Sequence, residues 1–260
     1  MTKKIILSAI IVALLMLGWF NRVKIHDFIL YQQKPTLPAP ISLHDLNPKT
    51  YNLEPKTSTT PPIIVPNNLP ASFNLLVPFT SQAPHADWGQ PYQDACEEAS
   101  VITVHYFWSD QTFTPDKADA EILKFVAFEN QQLGSPTGYM DTDAATTARL
   151  VEQYWPQYQT RVIYNWTIEQ VETEIAAGHP VVAFFAGKEL NNPNFTNGGP
   201  LYHALVIKGY TADNFITNDV GTRRGSDYIY SKQILLNASH DWNNGDVAHG
   251  RRAILVMWQK

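Results

Sequence analysis

At His179-Pro180 the apolar residues of this 260-residue chain stop recurring three and four apart and fall into short β-branched and aromatic runs, which limits the architectures open to it. Upstream, Ala99, Val101, Ile102, Val104, Tyr106, Phe107 and Trp108 cover most of a helix surface, predicting a central, buried helix that opens at Cys96. Thr114-Pro115-Asp116 supplies an N-cap and a first-turn proline for a second helix reaching about Gln131. Asp143 to Trp155 suits a third, and Thr167-Ile168-Glu169-Gln170 is a capping-box pattern for a fourth that stops at Gly178. Downstream, Val181 to Ala186, Tyr202 to Gly209, Asn214 to Asp219, Tyr228 to Ser231 and Ala253 to Trp258 read as strands. Helices first and strands afterwards argue for an α+β fold, with N-terminal helices packed on an antiparallel β-sheet, and against a doubly wound parallel sheet, whose elements would alternate.

The preceding segment differs in kind. Ile5 to Phe20 is almost continuously apolar, with Lys3 and Lys4 before it and Arg22 and Lys24 behind. As a helix it spans about 24 Å at roughly 1.5 Å per residue, which approaches the ~30 Å hydrocarbon core when Trp19, Phe20 and the flanking lysines reach the interfaces. Leu17-Gly18-Trp19-Phe20-Asn21 lacks the small residues of a cleavage site, so a single uncleaved N-terminal membrane helix is expected; cleavage would give a secreted protein instead. From Gln33 to Pro70 the chain holds nine of its 18 prolines, which remove backbone donors and favour extended, solvated conformations. The expected layout is an anchor or signal segment at 1–24, a Pro-rich tether at 25–72 and a compact domain at 73–260, held at a membrane face with its working part outside the cytoplasm.

Composition and missing motifs exclude several chemistries. Net charge is -5 with 17% charged residues, and no basic cluster is interleaved with aromatics, so nucleic acid is not an expected partner. There is no Gly-x-Ser-x-Gly, no His-Glu-x-x-His, no phosphate loop and no Cys-x-x-Cys, and His240-Asp241 with His249 is too loose for a metal site. Glu97 and Glu98 lie about 100° apart around a helix and do not face each other as paired glycosidase carboxylates do. No cofactor is expected.

Cys96 is the chain's single cysteine, so it is either inert filler or a reactive thiol. At a helix N-terminus, unsatisfied N–H groups and the dipole favour a thiolate, although Glu97 and Glu98 in the same turn oppose one and make a cationic partner necessary. Among the eight histidines, His105 is excluded because nine residues along one helix carry it roughly 13 Å away. His26 and His44 fall in the anchor and tether, and His179 precedes a proline at a turn. His203 opens an apolar strand, and a short turn around Tyr210 to Asp213 pairs it antiparallel with Asn214 to Asp219. That register places His203 opposite Asp219 within about one residue, close enough for a carboxylate to orient the ring, with Asn218 as the alternative orienter.

Val77-Pro78-Phe79-Thr80-Ser81-Gln82, a Trp88 loop, Cys96 opening a helix, His203 in Gly-Gly-x-x-x-His-Ala-Leu-Val and Asn218-Asp219 closing the next strand together resemble the papain-like cysteine peptidases of the bacteriocin-processing family and its stand-alone relatives. The resemblance covers most of residues 73–260 and implies a papain-like cysteine peptidase fold. By position it makes Cys96 the nucleophile, His203 the general base, Asp219 the orienting acid and Gln82 the side-chain donor of the oxyanion hole, with Gln90 and Gln93 as rivals for that last role. Where such peptidases commonly carry Cys-Gly, this chain carries Cys96-Glu97. The expected activity is hydrolysis of a peptide or protein substrate by a membrane-tethered enzyme. The alternatives are an inactive peptide- or cell-envelope-binding module of the same fold and a thiol amidase or transferase.

Overall fold

The structure, a computed structural model, describes residues 36–46, 69–134 and 140–260. By its internal contacts the chain divides into Met1–Leu37 and Pro38–Lys260, and the fold set out below belongs to the second unit. The apolar run Ile5 to Phe20 and the membrane helix expected there lie outside the described residues; among the described residues no helix is long and apolar enough to cross a membrane.

Within the described residues the fold is α+β, with five helices and a seven-stranded antiparallel sheet. Helix α1 (Cys96–Trp108) is followed by α2 (Pro115–Leu133) and α3 (Ala144–Tyr154). The start signals act through the atoms their residue types supply: the side chains of Thr114 and Asp143 accept from Lys117 N and Thr146 N. Helix α4 (Ile168–Ala176) opens on a complete capping box, with Thr167 and Gln170 each satisfying the other's backbone N–H. Helix α2 ends at Gly134, whose φ of 66° is the left-handed conformation that glycine adopts without penalty.

The strands are β1 (Phe73–Asn74), β2 (Tyr158–Tyr164), β3 (Val181–Ala186), β4 (Tyr202–Tyr210), β5 (Asn214–Asn218), β6 (Tyr228–Ser231) and β7 (Ala253–Gln259). Their order across the sheet is β2-β7-β3-β4-β5-β6, with β1 pairing β4. All nine residues of β4 and all six of β3 are buried, and because successive strand side chains point to opposite faces, both faces of the sheet are covered there. Helix α1 packs on β4 and β3 and is itself buried along nearly its whole length, so its first residue is carried into the middle of the molecule.

Two expectations about element order are corrected. Strand β2 lies between α3 and α4, so helices and strands are not cleanly segregated: its half-buried pattern pairs along β7 from Tyr158↔Gln259 to Tyr164↔Ala253. A fifth helix, α5 (Lys232–Ala238), interrupts the strand-rich half, capped by Ser231. Residues 36–46 of the proline-rich stretch do not stay fully solvated. Ile41 bridges Leu75, Asn74 Nδ2 donates to Pro38 O, and His44 meets Asp110 at 2.9 Å.

Candidate active site

Cys96 reaches the centre because the turn before it is pinned. Gln82 Nε2 donates to Tyr92 O at 2.8 Å and Gln93 O at 3.0 Å, tying Tyr92–Asp94 to the incoming segment, and Gln82 N donates to Val220 O. Ala95, the N-cap, offers no side-chain acceptor to the first N–H groups of α1. Cys96 is 3% exposed, and its Sγ takes two hydrogen bonds: it donates to Glu97 Oε2 at 2.9 Å and accepts from Ala204 N at 3.2 Å. Burial first, then the charges of Glu97 and Asp141, push this thiol well above its ordinary pKa, and the Ala204 N–H only partly opposes them.

On β4, His203 precedes Ala204, so the strand that touches the sulfur also carries the imidazole. Its Nε2 meets Asp219 Oδ1 at 2.8 Å, with both side chains almost fully buried. The pairing arises in a register that differs from the expected one. A bulge between Ile207 and Gly209 slips the ladder so that Val206 faces Asn218. Continued one for one, it sets Asp219 beside Leu205 and His203 beside Gly221, and the ring therefore reaches its carboxylate diagonally. Gly221 makes room for this: a Cβ there would sit 2.6 Å from His203 Cε1 and 3.1 Å from Nε2. The Phe195 ring, edge-on at 5.2 Å, closes on the imidazole as well.

Asp219 accepts four hydrogen bonds, from His203, Gly221 N at 3.0 Å, Asn192 Nδ2 at 2.9 Å and Tyr230 OH at 2.6 Å. Burial alone would raise its pKa, but the positive charge of the His203 ring and the donated hydrogen bonds outweigh burial and hold the carboxyl below its ordinary range. Asn218 is not the orienter: its Nδ2 donates to Val77 O and Pro78 O, and its Oδ1 accepts from Asp227 N. Of the three glutamines, Gln82 is buried, whereas Gln90 and Gln93 are exposed and Gln90 bonds Asp94. With Nε2 on two carbonyls and Oε1 without a partner, Gln82 must release one donor before it can face an oxyanion.

The structure thus brings together the Cys96 sulfur, the start of β4 and the His203–Asp219 pair, with the sulfur bonded to Glu97 and Ala204 and not to the ring. Sequence reasoning missed Asn192, Tyr230, Gly221 and Phe195, which lie far from one another along the chain. Only Gly221, two residues beyond Asp219, carried a signal in the strand arithmetic. Among the described residues no cluster of His, Cys, Asp and Glu is arranged to hold a metal ion.

Residues 74–245 match the family model described as Peptidase_C39 like family. No curated protein matches the chain. Solved structures similar to it include a protein of Bacillus anthracis described as a C39-like peptidase, at 17% identity and TM-score 0.42, covering 70% of this chain and 94% of that one. Xylellain, a cysteine protease from Xylella fastidiosa, is 16% identical at TM-score 0.47, covering 78% of this chain and 91% of its own. Interpain A, a cysteine protease from Prevotella intermedia, is 21% identical at TM-score 0.32, with 55% and 57% covered.

Proposed function

Because the chain belongs to the Peptidase_C39 like family, we propose that it hydrolyses peptide bonds through Cys96, His203, Asp219 and Gln82. The observation that carries the reading is the buried His203–Asp219 pair, whose next backbone N–H is hydrogen-bonded to Cys96 Sγ. His203 takes the thiol proton on Nδ1 as the S–H bond breaks, the sulfur attacks the carbonyl carbon of a peptide or protein substrate, and the imidazolium returns the proton to the leaving amine. Water activated by the same ring then hydrolyses the acyl-enzyme. Asp219, held below its ordinary pKa, stays anionic and stabilises the imidazolium. The Cys96 N–H at the start of α1 and one hydrogen of Gln82 Nε2, turned away from its carbonyls, bind the oxyanion.

The apolar run Ile5 to Phe20 and the prolines behind it support a peptidase held at a membrane and working outside the cytoplasm. Deleting residues 1–24 moves the protein from the membrane fraction to the soluble one on this reading, and retention in the membrane argues against it. The catalytic reading is tested with Cys96→Ser and His203→Ala, each expected to abolish hydrolysis of a casein-derived peptide mixture without unfolding. Undiminished cleavage by Cys96→Ser sinks the proposal. The buried thiol on Glu97 favours one second reading, a peptide-binding module without turnover. That module would bind the mixture with no cleavage in the unaltered protein.

A further inference from the structure

We propose that Glu97 is a positioning residue that holds Cys96 as a neutral, hydrogen-bonded thiol in the free protein, so that the nucleophile is armed only when this contact is given up. The inference rests on Cys96 being the nucleophile of the peptidase proposed above. Its geometry is a one-proton unit with a backbone donor at each end. Cys96 Sγ–H donates to Glu97 Oε2 at 2.9 Å, Glu97 Oε1 accepts from Thr142 N at 2.8 Å, and Sγ accepts from Ala204 N at 3.2 Å. Glu97 is 2% exposed, so water is not at hand to replace either partner.

The surroundings keep that proton on the sulfur. The groups coupled by charge to Cys96 and Glu97 are Asp141 before α3 and Glu129 on α2, which act on them, and Glu98 on the same helix and Tyr202 on β4, on which they act. All four are acids, so none supplies positive charge to a thiolate, and burial raises the pKa of the carboxyl as well as that of the thiol. His203, the base of the proposed reaction, is committed through Nε2 to Asp219 and makes no hydrogen bond to the sulfur. A thiolate formed in place would face the Glu97 carboxylate across a dry gap, at far greater cost than in water. Arming therefore requires Sγ to leave Oε2 and turn to the ring, where the S–H bond breaks as the Nδ1–H bond forms. Substrate entering beside Cys96 supplies the displacement. Glu97 thus suppresses stray thiol chemistry between turnovers, which a glycine at that position could not do.

The experiment is iodoacetamide alkylation of the full chain across pH, read by mass at Cys96, in the unaltered protein and in Glu97→Gln. The unaltered protein is expected to show an apparent thiol pKa above the ordinary value of about 8.5. A glutamine keeps an acceptor for Thr142 N but presents an N–H donor to the sulfur. Exchanging an acceptor for a donor beside a charged group shifts the apparent pKa down by about one to two units, a rise of roughly 10- to 100-fold in alkylation rate at neutral pH. An unaltered protein whose Cys96 titrates at or below the ordinary value overturns the proposal however the variant folds, and so does a folded Glu97→Gln with an unshifted profile. Either result leaves the peptidase reading standing, because that reading falls only on the turnover of Cys96→Ser.

Discussion

Asp219 shows how a buried charge is made tolerable one hydrogen bond at a time. With four donors around it, replacement by alanine strands His203, Tyr230 and Asn192 together, and removing one partner of a buried ion pair costs on the order of 3–5 kcal/mol. Asp219→Asn keeps the volume but loses the charge that stabilises the imidazolium in the proposed mechanism. Its kcat is expected to fall roughly 10²- to 10⁴-fold at a nearly unchanged KM, measured on any peptide the unaltered protein cleaves. Because the folded carboxyl lies below its unfolded value, the stability it contributes is present above about pH 4 and is lost as pH falls through the folded pKa. Gly221 matters for the space it leaves. Gly221→Ala pushes a methyl against the His203 ring and is expected to cost about 1–3 kcal/mol in urea titrations and most of the activity; a variant as active and stable as its parent would show that the ring has room to move. The approach of Cys96, His203 and Asp219 to one another was legible in the sequence because the chain has one cysteine, position and helix geometry removed rival histidines, and strand pairing brought Asp219 near His203. Glu97 was legible only as a charge opposing a thiolate, since adjacency in a helix does not say where a side chain ends.

Among elements, helix starts were the most readable because their signals are local: Thr114 and Thr167 cap the helices they were expected to cap, and Asp143, expected at the start of a third, caps that one. Strand β2 was hidden because its seven residues are mostly half-buried and its partner, β7, comes about ninety residues later. The β4–β5 register was misplaced for a different reason. A bulge slips it at Ile207/Gly209, where β1 lies against β4 so closely that a Cβ on Gly209 would come 2.6 Å from Phe73 O, and no count of residues in a turn reveals such a slip. Asn218, a poor orienter, proves to be the clasp that ties β5 to the Val77–Pro78 segment leading to Gln82. Asn218→Ala removes two hydrogen bonds to buried carbonyls and a third from Asp227 N. Denaturant unfolding is expected to register a loss of about 1–3 kcal/mol, and activity should fall further than stability because Gln82 loses its footing. A loss confined to stability would detach this clasp from the site.

At the scale of the whole molecule, the unusual feature is a set of acids gathered around the start of α1. Burial raises Glu97, Glu98 and Glu129, neighbouring carboxylates add to the rise at Glu97 and Glu98, and Asp141 is pushed up to about 7. Glu98 and Glu129 share a hydrogen bond between carboxyl groups, which requires one of them to keep its proton. In the unfolded chain Glu98, Glu129 and Asp141 titrate near pH 4, so between about pH 4 and pH 7 the native state, with a proton kept on the Glu98–Glu129 pair and on Asp141, binds more protons than the unfolded state; the Glu97 carboxylate, which accepts the Cys96 S–H, adds none. Under that inequality stability falls as pH rises, by up to about 1.4 kcal/mol per pH unit for each proton retained, opposite in sign to the Asp219 effect and in a different pH window. The protein is therefore expected to be most stable in mildly acidic solution, between the loss of the Asp219 interaction on one side and the ionisation of the acid cluster on the other. Melting temperatures measured from about pH 4 to about pH 8 should peak near the lower end and decline toward neutrality. In Glu98→Gln combined with Glu129→Gln the decline should flatten, because the proton which that pair retains no longer exists to be lost. If the unaltered protein instead grows more stable from pH 5 to pH 8, these carboxyls are ionised in the native state, and the account of a dry acid cluster beneath Cys96 has to be abandoned.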